Sequence, residues 1–181
     1  ASDSQSLKNA VNDLSPAGAT RADLGMELAK NIIRSNDVAN NGRKKTVIMF
    51  TDGVPTALDQ FNEDVANGAI SASKAMKDVG TTVYTIGVFS GANGTPVNSW
   101  NGVSDTNKYM HLVSSNYKNA NNMYASANTA TYPADGKSYY LSAGSADELS
   151  SIFQQISQEV GGSTSNLDEK AVIRDIVTPY F

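Results

Sequence analysis

The sequence contains no cysteine, and this absence excludes several kinds of site at once. Without thiols the chain has no disulfide framework, no thiolate metal centre and no cysteine nucleophile. Histidine occurs once, as His111, and a lone histidine inside an apparent helix is more often structural than catalytic. Neither a Gly-x-Gly-x-x-Gly motif nor a Walker phosphate loop is present. We therefore expect the chain not to be an enzyme.

The chain also lacks a basic excess and a long apolar run. Lys and Arg number 14 against 18 for Asp and Glu, a net charge of -4, which argues against a nucleic-acid partner. No apolar stretch reaches transmembrane length, so no membrane insertion is expected. Asn, Ser, Thr, Gly and Tyr are abundant, a composition that suits an extracellular bacterial protein. The 181 residues suffice for one domain with its own core.

Apolar periodicity predicts alternating helices and strands. Helices are predicted at 6–14, 21–35, 61–79 and 145–162, and strands at 45–50, 81–89 and 138–141. The first strand is apolar without alternation, as expected for a strand buried on both faces of a parallel sheet. A polar insert at 90–137 is long enough to be functional or to carry structure of its own, such as a short helix at 107–114. The order predicts an α/β fold with a Rossmann-like, doubly wound, mainly parallel sheet and flanking helices.

Two polar residues lie where such sheets bind ligands. Asp52 directly follows the strand at 45–50 and precedes Gly53, and loops at the carboxyl ends of parallel strands are the usual ligand position. A carboxylate there can hold a hard cation, although Asp also commonly opens a turn. Thr20 precedes the helix at 21–35, where a hydroxyl is ordinarily a helix cap. Neither residue alone indicates a metal site.

The combination is more informative than either residue. A Gly18-Ala19-Thr20 loop before an amphipathic helix, followed by a buried strand ending in Thr51-Asp52-Gly53, resembles the von Willebrand factor A family. The resemblance extends from about 6 to 161, and 46–53 is its most specific part. It implies a metal-ion-dependent adhesion site to which Thr20 and Asp52 supply ligands. The implied cation is Mg²⁺, with Mn²⁺ or Ca²⁺ as alternatives, and a carboxylate of the bound protein completes its coordination.

One part of the family's pattern is missing from this sequence. The family's first metal loop is Asp-x-Ser-x-Ser after a strand, and no such motif follows a strand here. We therefore expect 1–162 to be the carboxyl-terminal portion of the domain, with its opening strands upstream and that upstream half required. Residues 163–181 are expected to be a linker and the start of a β-rich segment. Without the upstream half, the strand at 45–50 would be an exposed apolar edge.

Residues 109–117 and 167–181 further resemble cell-wall-anchored adhesins and pilus-tip proteins of Gram-positive bacteria. This resemblance implies an extracellular module that binds a host or extracellular-matrix protein. The alternative is a structural or scaffold domain without metal-dependent binding. A Mg²⁺-dependent hydrolase is disfavoured because no nucleophile or base cluster is recognisable. In the insert, Trp100, Tyr109 and Tyr117 are either ligand contacts or residues that pin the insert in place.

Overall fold

The structure is a computed structural model, and it describes residues 4–13, 15, 18–35, 44–57, 60–127 and 136–162. Within these ranges, five helices and three strands follow one another along the chain. The helices are α1 Ser4–Asn12, α2 Ala22–Ser35, α3 Glu63–Asp78, α4 Asp105–Val113 and α5 Ala146–Gly162, and the strands are β1 Thr46–Thr51, β2 Thr82–Gly87 and β3 Tyr140–Ser142. The segment 163–181, expected to begin a new domain, lies outside the described residues.

The three strands form a parallel sheet in the order β1-β2-β3. β1 and β2 pair from Thr46 with Thr82 to Thr51 with Gly87. α3 connects β1 to β2, as a parallel pair requires, because a hairpin turn cannot join strands that run in the same direction. The predicted Rossmann-like α/β fold is confirmed, and all three strands end at the same edge of the sheet.

The main core lies between one face of the sheet and helices α2, α3 and α4. Met49 and Val83 contribute from the strands, and Ile70, Met76 and Met110 contribute from the helices. A smaller cluster on the opposite face joins the side chains of β2 to α5. Helices therefore pack on both faces of the sheet, as in a doubly wound fold.

The prediction that β1 is buried on both faces is wrong. Met49 and Thr51 are buried against the helical layer, but Ile48 is 37% exposed and Phe50 is 51% exposed on the other face. The physical reason is the position of α5, whose Ile156 packs on β2 rather than on β1. β1 is also the edge strand of the described sheet. An apolar strand without alternation is therefore buried on only one side here.

The insert at 90–137 contains a helix of its own, α4, which was one of the two alternatives predicted for so long a segment. α4 begins after Ser104, whose side chain accepts a hydrogen bond from the Asn107 amide, and residues 109–113 are all buried. Lys77 anchors the far end of α4. Its Nζ donates to the carbonyl oxygens of Leu112, Ser114 and Tyr117 at 3.0, 3.1 and 3.2 Å and to that of Val113 at 3.4 Å. Burial lowers the pKa of Lys77 to about 7, whereas the carbonyl oxygens favour its charged form.

α1 differs from the other helices because none of its residues is buried. Leu7 and Val11, whose spacing contributed to the prediction of this helix, are exposed. Among the described residues, no helix is both long and apolar enough to span a bilayer.

Candidate functional site

The turn that ends β1 holds Asp52 at the carboxyl edge of the sheet. Thr51 Oγ1 donates to the Gly53 carbonyl oxygen at 3.1 Å and lies 3.2 Å from the Gly53 amide, from which it accepts. This short side-chain bridge folds the chain sharply at the strand end. Asp52, in the middle of the turn, is exposed to solvent. Its carboxylate is therefore available to an incoming cation or protein.

Thr20 is tied to the loop that follows Asp52. Its amide donates to Thr56 Oγ1 at 2.9 Å, and the Thr56 amide donates back to the Thr20 carbonyl oxygen at 3.1 Å. These two hydrogen bonds join residues that are 36 positions apart in the sequence. The structure thus brings the two predicted metal ligands to the same end of the molecule, and Thr56 is the residue that connects them. Nothing in the local sequence around Thr56 indicated this role.

The donor atoms of this site suit a hard cation. Asp52 supplies a carboxylate and Thr20 a hydroxyl, and oxygen donors of these types are the ligands that Mg²⁺ prefers. Within the described residues, no group of three or more His, Cys, Asp or Glu side chains could hold a metal ion. A Mg²⁺ site can nevertheless rest on few protein oxygens, because Mg²⁺ commonly keeps several water ligands. The remaining positions would be filled by water, by a partner's carboxylate or by residues outside the described ranges.

A pocket of about 800 Å³ opens beside Asp52. The insert and the start of α4 form most of its wall, which combines neutral polar side chains with apolar ones such as Phe89, Val97 and Val103. The neutral polar side chains include Ser90, Asn93, Thr95, Ser104, Thr106 and Asn107. Among the described residues, Asp52 is the only carboxylate that lines the pocket, and no lysine or arginine does. The pocket therefore suits an uncharged group that offers both hydrogen bonds and apolar surface.

Asn107 holds the pocket wall together. Its Oδ1 accepts from the Asn93 amide at 3.0 Å and from Tyr140 Oη at 2.6 Å, and its Nδ2 donates to the Gly91 carbonyl oxygen at 2.8 Å. One side chain on α4 thereby fixes the start of the insert and reaches β3. Sequence reasoning did not identify Asn107, because its three partners lie 14 to 33 positions away.

His111 is buried beneath the same pocket. Asn116 Nδ2 donates to His111 Nδ1 at 3.1 Å, an assignment that requires the tautomer with the proton on Nε2. Burial lowers the pKa of His111 to about 4, against an opposing effect of the Asn93 and Thr95 carbonyl groups. The ring is therefore neutral at pH 7. The expectation that this histidine is structural agrees with its burial and its hydrogen bond to an amide.

The aromatic residues of the insert pack inward. Tyr109 is buried, with its hydroxyl 3.5 Å from Met49 Sδ, and Tyr117 is buried with its hydroxyl donating to the Val97 carbonyl oxygen at 2.8 Å. Trp100 is partly buried, donates from Nε1 to the Ala125 carbonyl oxygen at 2.8 Å and packs against Tyr117 with the two ring planes tilted by 47°. Of the two interpretations given for Tyr109 and Tyr117, their burial favours the one in which they hold the insert in place. Their rings pin the insert, because apolar area and a satisfied hydroxyl both favour the interior.

The von Willebrand factor type A domain family matches residues 1–134. This match covers most of the chain, so the chain belongs to that family. Domains of this family commonly mediate protein interactions, and they often bind a metal ion. Comparison with curated proteins gave no match, and comparison with solved structures gave none either.

Proposed function

We propose that this chain is an adhesion module that binds a protein through a divalent cation held in part by Asp52 and Thr20. The observation that carries the proposal is the pair of hydrogen bonds between Thr20 and Thr56. This pair fixes the Thr20 loop beside the loop of Asp52, at the edge of the sheet where parallel α/β folds bind ligands. We propose that the module binds rather than catalyses, because among the described residues no recognisable cluster of a nucleophile and a general base accompanies these two oxygens.

Two features of this site, the cation and the neighbouring pocket, define the chemistry of the partner. A carboxylate of the partner occupies an open coordination position of Mg²⁺, or of Mn²⁺ or Ca²⁺ in its place. The neighbouring pocket then receives an uncharged part of the same partner, because its wall combines hydroxyl and amide groups with apolar side chains. We propose a host or extracellular-matrix protein as the partner and the surface of a Gram-positive bacterium as the location. The composition and the resemblance to adhesins and pilus-tip proteins support this assignment.

The direct test uses the metal alone. Mg²⁺ and Mn²⁺ are titrated calorimetrically into the 181-residue chain and into Asp52→Asn. Removing the only charged ligand is expected to weaken binding at least about tenfold, which corresponds to roughly 1.4 kcal/mol. Asp78→Asn serves as the matched control, because Asp78 is an exposed carboxylate at the end of α3, next to the start of β2 and therefore at the opposite edge of the sheet. Equal affinities of Asp52→Asn and Asp78→Asn would contradict the proposal.

The second candidate is a structural or scaffold domain of a surface protein or pilus. One observation favours it: the described residues hold no group of three or more acidic or histidine side chains around a possible metal position. Calorimetric titration with Mg²⁺ and Mn²⁺ distinguishes the adhesion module from the scaffold domain. If neither cation binds to the 181-residue chain at millimolar concentration, the scaffold role is preferred, and an upstream segment would be needed to complete any metal site.

A further inference from the structure

The dipeptide asparagine-glycine is chemically labile, and the sequence contains it four times, at 41–42, 67–68, 93–94 and 101–102. In this reaction the glycine backbone nitrogen attacks Cγ of the preceding asparagine, and ammonia leaves as a cyclic imide forms. Glycine favours the reaction because it has no Cβ to restrict the rotation of the peptide unit. The sequence alone therefore marks four equivalent positions. The structure distinguishes the three that lie among the described residues, at 67, 93 and 101.

The step from Asn101 to Gly102 lies in an open turn of the insert. The Val103 amide donates to the Trp100 carbonyl oxygen at 3.1 Å, and Gly102 has a φ of 76°, as the third residue of a type II turn does. Asn101 and Gly102 are both exposed, and apart from the adjoining residues no atom lies within 4 Å of where a Gly102 Cβ would be. Within the described part of the chain, neither the Asn101 side chain nor the Gly102 amide has a hydrogen-bond partner. The two reacting groups are therefore free to approach each other.

The step from Asn67 to Gly68 is held by secondary structure. Gly68 lies inside α3, so its amide belongs to the hydrogen-bonding pattern of the helix. The Asn67 side chain is held as well, because its Oδ1 accepts from the Met123 amide at 2.7 Å. The imide ring could close here only if this part of α3 opened.

The step from Asn93 to Gly94 is held by packing, although the Gly94 amide has no acceptor among the described residues. Asn93 Oδ1 accepts from the Thr95 amide at 2.9 Å, and the Gly94 carbonyl oxygen accepts from Ser138 Oγ at 2.6 Å. Gly94 also lies so close to β3 that a Cβ would overlap the Tyr140 carbonyl oxygen. The peptide unit between Asn93 and Gly94 therefore cannot rotate without breaking these contacts.

We propose that Asn101 is a site of spontaneous modification, at which the folded protein converts its own asparagine to aspartate and isoaspartate. The Gly102 nitrogen loses its proton and bonds to Cγ of Asn101, and the bond from Cγ to the side-chain nitrogen breaks to release ammonia. Water then opens the imide ring. Attack at Cγ gives aspartate, and attack at the backbone carbonyl carbon gives isoaspartate, whose main chain passes through Cβ and Cγ. Water is the only co-reactant.

The isoaspartate product changes the wall of the pocket beside Asp52. Gly102 and Val103 line this pocket, and the turn that carries them is closed by the hydrogen bond from Val103 to Trp100. Isoaspartate adds one carbon atom to the main chain inside this turn, so the turn cannot keep its geometry. Both products also replace a neutral amide with a carboxylate. The consequence for a bound partner rests on the proposed role of the pocket, whereas the conversion itself does not.

The first experiment follows the conversion in the folded 181-residue chain by peptide mapping. The protein is kept at mildly alkaline pH and digested at intervals. Liquid chromatography with mass spectrometry then separates the asparagine, aspartate and isoaspartate peptides. Asn101 is expected to convert at least about tenfold faster than Asn93 or Asn67, a difference of roughly 1.4 kcal/mol that one hydrogen bond can supply. Equal rates at the three positions, or a faster rate at Asn67 or Asn93, overturn the proposal.

The same mapping in guanidinium chloride separates the effect of the fold from that of the neighbouring residues. All three steps are flexible in the unfolded chain, so their rates are expected to become similar. A preference for Asn101 that persists in denaturant would show that the local sequence causes it, and the structural account would be wrong.

Asn107→Ala tests the protection of Asn93 in the folded state. The variant removes the acceptor of the Asn93 amide, which donates to Asn107 Oδ1 at 3.0 Å. Conversion at Asn93 is expected to become faster, while conversion at Asn101 stays the same. An unchanged rate at Asn93 would contradict the view that contacts within the insert protect this step.

Trp100 reports the change in the turn, because it is the only tryptophan and directly precedes Asn101. Its emission is expected to change in parallel with isoaspartate formation. Asn101→Gln is the matched control, since glutamine keeps an exposed amide but cyclises much more slowly through a larger ring. Equal changes in the two proteins, or a constant emission as isoaspartate accumulates, would contradict the remodelling. Asn101→Gln leaves Asp52 and Thr20 in place, so calorimetric titration with Mg²⁺ tests the cation site separately.

Discussion

The Asn116 amide donates a hydrogen bond to Nδ1 of His111 at 3.1 Å, inside the protein. Asn116 also donates to Ser138 Oγ at 3.0 Å and accepts from the Tyr139 amide at 2.7 Å. This one side chain therefore connects α4 to the segment that leads into β3. If His111 were also protonated on Nδ1, the ring nitrogen and the Asn116 amide would both be donors. The hydrogen bond between them would then be lost.

The stability of the protein should fall as the pH is lowered from 6.5 towards 4. Because the pKa of His111 is lowered to about 4 in the folded protein, the unfolded chain binds a proton at this histidine first as the pH falls. The stabilisation that neutral His111 provides is therefore complete above pH 6.5 and is lost as the pH falls towards 4. The full change is about 3 kcal/mol for a shift of this size. Urea denaturation at several pH values measures it, with His111→Gln as the variant that lacks the titration. Parallel pH profiles for the two proteins would show that His111 does not contribute.

Lys77→Met should destabilise the fold strongly. The variant keeps the volume of the side chain but leaves the four carbonyl oxygens around Nζ without their donor, so a loss of about 3 kcal/mol is expected. Lys74→Met is the control on the same helix. Lys74 pairs with Asp78 near the surface, where an ion pair contributes roughly 0.5 kcal/mol. Comparable denaturation midpoints for the two variants would contradict the role of Lys77.

Thr56→Val should weaken cation binding without unfolding the protein. Valine has the shape of threonine, but it cannot accept the hydrogen bond from the Thr20 amide. We expect a stability loss of about 1 kcal/mol and a clear reduction in Mg²⁺ affinity, because the Thr20 loop is no longer fixed. Thr106→Val, in the pocket wall, is the control. Unchanged Mg²⁺ affinity in Thr56→Val would show that this connection does not organise the site.

Asn107→Ala should loosen the start of the insert. The amides at 91–97 are expected to exchange with deuterium faster, because the Asn93 amide loses its acceptor and the Gly91 carbonyl group loses its donor. Asn101→Ala, at an exposed position of the same insert, should leave the exchange unchanged. Equal protection in both variants would argue that packing, rather than Asn107, holds the wall of the pocket.

The elements with strong periodicity were predictable, and so was the position of Asp52. α2, α3, β1 and β2 all lie within a few residues of their predicted ranges, because apolar spacing reflects the face that each element buries. Asp52 followed from the rule that ligands bind at the carboxyl ends of parallel strands. Tyr109 could have been recognised as buried, since its spacing with Met110 and Val113 is that of a helix face.

The remaining features depend on contacts between distant parts of the sequence. Lys77 reaches Leu112 across 35 positions, and Thr20 reaches Thr56 across 36. A polar residue in a helix is ordinarily solvated, so nothing in the local pattern distinguishes Lys77 from Lys74. The exposure of Ile48 and Phe50 was likewise hidden, because it depends on where α5 packs rather than on the strand itself.

The two hydrogen bonds between Thr20 and Thr56 have an entropic consequence. They join residues 36 positions apart, so the Thr20 loop already lies beside the loop of Asp52 before any ligand arrives. Bringing the ends of a flexible segment together costs conformational entropy, and here that cost is met during folding rather than during binding. A cation or partner protein at this end of the sheet would therefore retain more of its interaction energy as affinity.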